Sequence, residues 1–120
     1  MADTDAELAR RIAETAGALL LTLQSSQLFS DKALGKVGER IANDFILEAL
    51  AIARPQDGIL SEERADTSKR LGQDRVWIID PLDGTREFGE QRSDWAVHIG
   101  LAVAGVAVTG AVALPGLGIT

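Results

Sequence analysis

The chain has 120 residues, 46% of them apolar, so it is the size of one domain, holds enough hydrophobic mass for a core, and is not a disordered segment. It contains no cysteine, which excludes disulfide and thiolate chemistry and fits a reducing compartment. A net charge of −6 and a pI of about 4.7 argue against a nucleic-acid-binding surface, and the charged N-terminus lacks the apolar core of a secretory signal, so a cytoplasmic location is expected.

In chain order, Leu8, Ile12, Ala16, Leu19 and Leu23 recur at helical spacing and predict a first helix over 6–28, capped by Thr4 or Asp5. The mixed, glycine-containing stretch up to Gly38 reads as a loop. Ile41, Phe45, Ala49 and Ile52 predict a second helix over 39–53, ended by Arg54-Pro55. Asp57-Gly58 signals a turn, Ile59-Leu60 a short strand, and 64–74 a polar surface loop. Val76-Trp77-Ile78-Ile79 is an unbroken apolar run, the pattern of a strand covered on both faces. The uncharged stretch 95–120 is long enough to suggest a membrane span, but its many glycines and the spacing of Val97, Ile99, Leu101 and Val103 predict a hairpin turning at Ala104-Gly105. Helices packed on a sheet follow from this order.

The chemistry concentrates in Trp77-Ile78-Ile79-Asp80-Pro81-Leu82-Asp83-Gly84-Thr85. The apolar strand delivers Asp80 at its C-terminal end, where ligands of helix-flanked sheets gather. Pro81 and Gly84 predict a tight turn that returns Asp83 toward Asp80, giving the convergent carboxylates that hard cations such as Mg²⁺ favour. Leu82 adds a backbone carbonyl. Gly84 and Thr85 open a helical turn whose free N–H groups suit a phosphate. Asp, Pro and Gly are also ordinary turn residues, so this motif gains weight from a second acidic cluster, Ser61-Glu62-Glu63. Glu62 reaches the same site if its strand lies beside that of Asp80. His98, the sole histidine, reads as a core residue of the hairpin.

The pairing of Ser-Glu-Glu at 61–63 with Trp-Ile-Ile-Asp-Pro-Leu-Asp-Gly-Thr at 77–85 resembles the inositol-monophosphatase superfamily, over about 35–114. The Arg86-Glu87-Phe88 extension and the later Asp-Trp-Ala-Val-His-Ile-Gly-Leu at 94–101 look most like its CysQ branch, the 3'(2'),5'-bisphosphate nucleotidases. The resemblance implies an α+β layered sandwich of the inositol-monophosphatase and sugar-phosphatase type, here two helices on a mainly antiparallel sheet. It implies hydrolysis of a 3'-phosphate of adenosine 3',5'-bisphosphate or its sulfated form by a metal-activated water, with two or three Mg²⁺ ions. Glu62, Asp80, Leu82 through its carbonyl, and Asp83 would hold metal. Leu82, Asp83, Gly84 and Thr85 would meet the substrate phosphate, and Thr85 with Glu39 would act on the attacking water. The expected partner is a small phosphorylated molecule, not a nucleic-acid polymer or a membrane, and a homodimer is the oligomer to test.

Two features depart from the pattern. Glu39 stands where the family usually has Asp, and Lys36 where it commonly has Thr; the extra methylene of Glu39 is expected to shift or weaken its action through Thr85. The C-terminal half, with a Trp-Asp motif carrying a further metal ligand, has no counterpart in 1–120, so the chain reads as the N-terminal part of a phosphatase domain. Inositol 1-phosphate or fructose 1,6-bisphosphate as substrate, and a non-catalytic metal-binding fragment, stand as alternatives. A haloacid-dehalogenase type, which phosphorylates an Asp, needs one residue between its carboxylates, whereas here Pro81 and Leu82 intervene.

Overall fold

The computed structural model describes residues 3–61 and 74–120. Helix α1 is Asp5–Ser26, α2 Asp31–Ala53 and a short α3 Thr85–Gly89; strands are β1 Gly58–Ser61, β2 Arg75–Asp83, β3 Ala96–Val103 and β4 Val106–Ala113, followed by a 3₁₀ turn at Pro115–Leu117. The strands form one sheet in the order β1-β2-β3-β4, parallel between β1 and β2 and antiparallel elsewhere. The α+β layering expected from the sequence is therefore present. None of the helices among the described residues is long and apolar enough to cross a membrane.

Thr4 caps α1, its hydroxyl accepting from the Glu7 N–H at 3.1 Å. Leu8, Ile12, Ala16 and Leu20 line the buried stripe of that helix. The second helix begins eight residues before the expected start at 39, at Asp31. Gly35 and Gly38 made the stretch from after Leu28 to Gly38 look like a loop, since an interior glycine costs about 1 kcal/mol in a helix. Both are buried against neighbours instead: a Cβ on Gly38 would stand 2.7 Å from the Phe88 ring, and one on Gly35 would stand 2.8 Å from Thr85 Cγ2. Close packing of α3 on α2 thus offsets the propensity cost.

Both helices cover one face of the sheet. Trp77, Ile79 and Leu82 of β2 and Val97, Ile99 and Leu101 of β3 meet Leu20, Leu34, Ile46 and Leu50 in a single hydrophobic core. The expectation that β2 is covered on both faces does not hold, because Ile78 is 48% exposed. Burial alternates along the strand, and none of the helices among the described residues is layered on the outer face, where Val112 is also exposed. The hairpin turns at Ala104-Gly105 as expected, with φ of +51° and +80°. Two consecutive positive φ values define the two-residue turn whose twist matches antiparallel strands. Alanine is disfavoured there, so Ala104→Asn should raise stability by about 1 kcal/mol, read as an upward shift of the thermal midpoint.

Beneath the sheet edge, Asp57 is buried and accepts from Arg75 Nε at 3.1 Å and Trp77 Nε1 at 2.9 Å. Arg75 also bonds Asp5 at 2.9 Å, and Arg54 Nε meets the same carboxylate at 3.0 Å, tying the start of α1 to β2 and to the end of α2. Hydrogen bonding from Arg75, opposed by partial burial and reinforced by Arg54, holds the Asp5 carboxyl below its ordinary value. The folded state therefore binds this proton more weakly than the unfolded chain. The stabilisation is complete above the unfolded value near pH 4 and is lost as pH falls through the lower folded value. Asp5→Asn should flatten this acid limb in midpoints measured from pH 6 to pH 2, while leaving the neutral side of the profile unchanged in slope.

Candidate active site

The two aspartates face the same way because of a bulge. Side chains three residues apart in a regular strand point to opposite faces. Between Asp80, which pairs with His98, and Asp83, which pairs with Ala96, β2 spends one residue more than β3. Pro81 and Leu82 occupy the irregularity and are both buried, while Asp80 and Asp83 lie on the outer side with Ile78. The extra residue restores a common face. The tight turn expected at Pro81 is thus a bulge within a strand that continues to Asp83. Asp80, Asp83 and His98 share a cleft of about 360 Å³ with Leu60, Ile78 and Ile79.

His98 is not a core residue. Its side chain is 42% exposed and its Nε2 lies 3.0 Å from Asp83 Oδ2. Alternation explains this: Val97 and Ile99 point into the core, which sends His98 to the face of Asp80, its cross-strand partner. The sequence signal was the Val97-His98-Ile99 alternation, legible only once the register with β2 is known.

Gly84 turns the chain out of the strand at φ +93° and caps α3. A side chain there would also meet the Asp94 carbonyl and Trp95 at 3.1 Å. Thr85 follows, and its hydroxyl bonds Glu39 Oε1 on α2, with the Leu82 carbonyl at 3.3 Å as a second acceptor. The longer Glu39 side chain therefore reaches the Thr85 hydroxyl. Of the residues expected to form the site, Asp80 and Asp83 share one cleft, while Glu39, Leu82 and Thr85 are joined by the hydrogen bonds of the Thr85 hydroxyl, with Gly84 between the two groups in the chain. Glu62 lies outside the described residues. The condition set for it holds as far as the structure goes, because β1 runs parallel to β2 and Ser61 is paired with Ile79, one residue before Asp80. Ser61 is buried and donates to Asn43 Oδ1 at 2.6 Å, which anchors that strand end.

Two carboxylates and a carbonyl form an all-oxygen donor set, the type that suits Mg²⁺. Among the described residues no group of three acidic or histidine side chains is arranged to hold a metal ion.

The sequence pattern of the inositol monophosphatase family matches residues 3–119. The chain belongs to that family. It is 53% identical over 100 residues to the 3'-phosphoadenosine 5'-phosphate phosphatase of Mycobacterium leprae, an alignment covering 82% of this chain and 37% of the relative. It is 37% identical over 119 residues to the histidinol-phosphatase of Chlorobaculum parvum, covering 95% of this chain and 45% of that one. Its fold matches the extragenic suppressor protein suhB of Bartonella henselae with a TM-score of 0.78 at 28% identity, over 92% of this chain and 43% of the other. The chain thus spans less than half the length of these members of the inositol monophosphatase family.

Proposed function

We propose that this chain supplies the catalytic strand-and-turn of a Mg²⁺-dependent phosphomonoesterase that removes the 3'-phosphate of adenosine 3',5'-bisphosphate or its sulfated form. The observation that carries the reading is the bulge that sets Asp80 and Asp83 on one face, next to a Thr85 hydroxyl bound to Glu39. The 53% identity to a phosphatase of 3'-phosphoadenosine 5'-phosphate supports the choice of substrate.

Asp80, Asp83 and the Leu82 carbonyl, with Glu62, would hold the metal. Mg²⁺ bound there would offset the charge of the phosphate and lower the pKa of a water. The remaining work falls to the chain. The Thr85 hydroxyl donates its hydrogen bond to Glu39, so its oxygen lone pairs are free to accept a hydrogen bond from the attacking water. That leaves a water lone pair directed at phosphorus and gives the proton a path through Thr85 to Glu39. As the water oxygen bonds to phosphorus, the ester P–O bond breaks and the ribose oxygen leaves, taking up a proton from solvent water. His98 holds Asp83 from the side away from the core.

The test is Mg²⁺-dependent phosphate release by the protein expressed from its native reading frame. Adenosine 3',5'-bisphosphate, inositol 1-phosphate and fructose 1,6-bisphosphate are compared side by side. Preference for the first supports the substrate assignment, preference for another moves the assignment within the family, and metal binding without release from any ester leaves a non-catalytic fragment.

A further inference from the structure

A second cleft, of about 710 Å³, opens on the other side of Thr85 between the start of α2 and α3. Lys32, Lys36 and Arg86 line it, with Asp31 and Glu90 as the acids that face them. Arg86 is engaged by Glu90 at 3.2 Å, and Glu90 also stands 3.7 Å from Arg92. Lys32 and Lys36 form no ion pair among the described residues, and both are exposed. They stand one helical turn apart, and Arg40, likewise exposed and without an ion pair there, continues the row by another turn. Like charges at this spacing repel, each pair costing a few tenths of a kcal/mol on a helix. A chain of net charge −6 thus keeps a row of unneutralised cations beside its candidate active site.

Glu39 fixes where that row lies. It touches the Thr85 hydroxyl, and Lys36 and Lys32 precede it by about 4.5 and 10.5 Å along the helix axis. Neither lysine lines the cleft of Asp80 and Asp83. Their charge is therefore placed to the side of the proposed site of cleavage, in a separate cleft that Thr85 also lines. Lysine ammonium groups are effective point-charge partners for phosphate and sulfate, and an exposed basic patch raises the local concentration of such anions.

Resting on the phosphomonoesterase reading above, we propose that Lys32 and Lys36, with Arg86, hold a second anionic group of the substrate, a phosphate or sulfate that is not cleaved. The cleft then selects substrates carrying two separated anionic groups over monophosphates. Lys36, which departs from the family pattern, becomes a specificity residue.

The experiment uses Lys32→Gln, Lys36→Gln and the double variant of the protein expressed from its native reading frame. Equilibrium binding of adenosine 3',5'-bisphosphate and of 3'-AMP is measured with EDTA present, and turnover of both with Mg²⁺. The double variant should weaken binding of the bisphosphate, and raise its KM, by about tenfold, with kcat and the 3'-AMP constants within about twofold of the parent. A parent that binds both ligands equally, or variants that keep its preference, overturn the proposal. Loss of equal size toward both ligands overturns it too, since that places the lysines at the cleaved phosphate. Absence of release from every ester would sink the phosphatase reading, and the EDTA binding comparison would still decide the role of the cleft.

Discussion

Asp83→Asn should abolish Mg²⁺-dependent phosphate release, with kcat falling by about 10³-fold or more. The substitution keeps the shape of the side chain and an oxygen for His98 while removing the negative charge that a hard cation requires. A metal contributes several kcal/mol to such a transition state, and each 1.36 kcal/mol is tenfold in rate. The Asp83 side chain is 60% exposed, so the thermal midpoint should stay close to that of the parent, separating a lost ligand from a lost fold. Isothermal titration with Mg²⁺ gives the second readout, and the heat of binding should shrink along with activity. Undiminished release by the variant would remove Asp83 from the metal site and would break the pairing with Asp80 on which the proposed function rests.

Phe88→Ala should destabilise the fold more than any substitution in the acidic motif, by about 3–5 kcal/mol. The Phe88 ring is fully buried and meets Trp95 edge-on, with centroids 5.0 Å apart and planes at 87°. It fills the space left by Gly38 on α2, and the Phe88 carbonyl accepts from the buried Gln24 of α1 at 3.0 Å. Truncation leaves a void where all three helices meet, in a domain whose whole stability is of the order of 5–15 kcal/mol. Because α3 is held by this ring and carries Thr85 at its start, the Thr85–Glu39 contact should loosen as well. Urea denaturation measures the first effect. Phe88→Leu, which keeps most of the volume, should recover more than half of the loss. A midpoint equal to the parent's in Phe88→Ala would show that the ring does not lock α3 to α2.

The sequence alone determined the parts of this protein that depend on neighbours in the chain. The helical stripe of Leu8, Ile12 and Ala16, the hairpin turn at Ala104-Gly105, and the strand that ends in the acidic motif are local patterns, and the structure contains each of them. Tertiary structure decided what depends on partners far away in sequence. Helix α2 starts at Asp31 because Gly35 and Gly38 receive Thr85 and Phe88, and no local propensity encodes that contact. His98 leaves the core and Ile78 is exposed because an alternating strand has two faces, and only the placement of the helices says which one is covered. Asp80 and Asp83 share a face through one extra residue in β2, which exists only relative to the register of β3. Glu39 and Thr85, 46 positions apart, were joined beforehand only by family resemblance, and the packing of α3 on α2 is the physical reason their side chains meet.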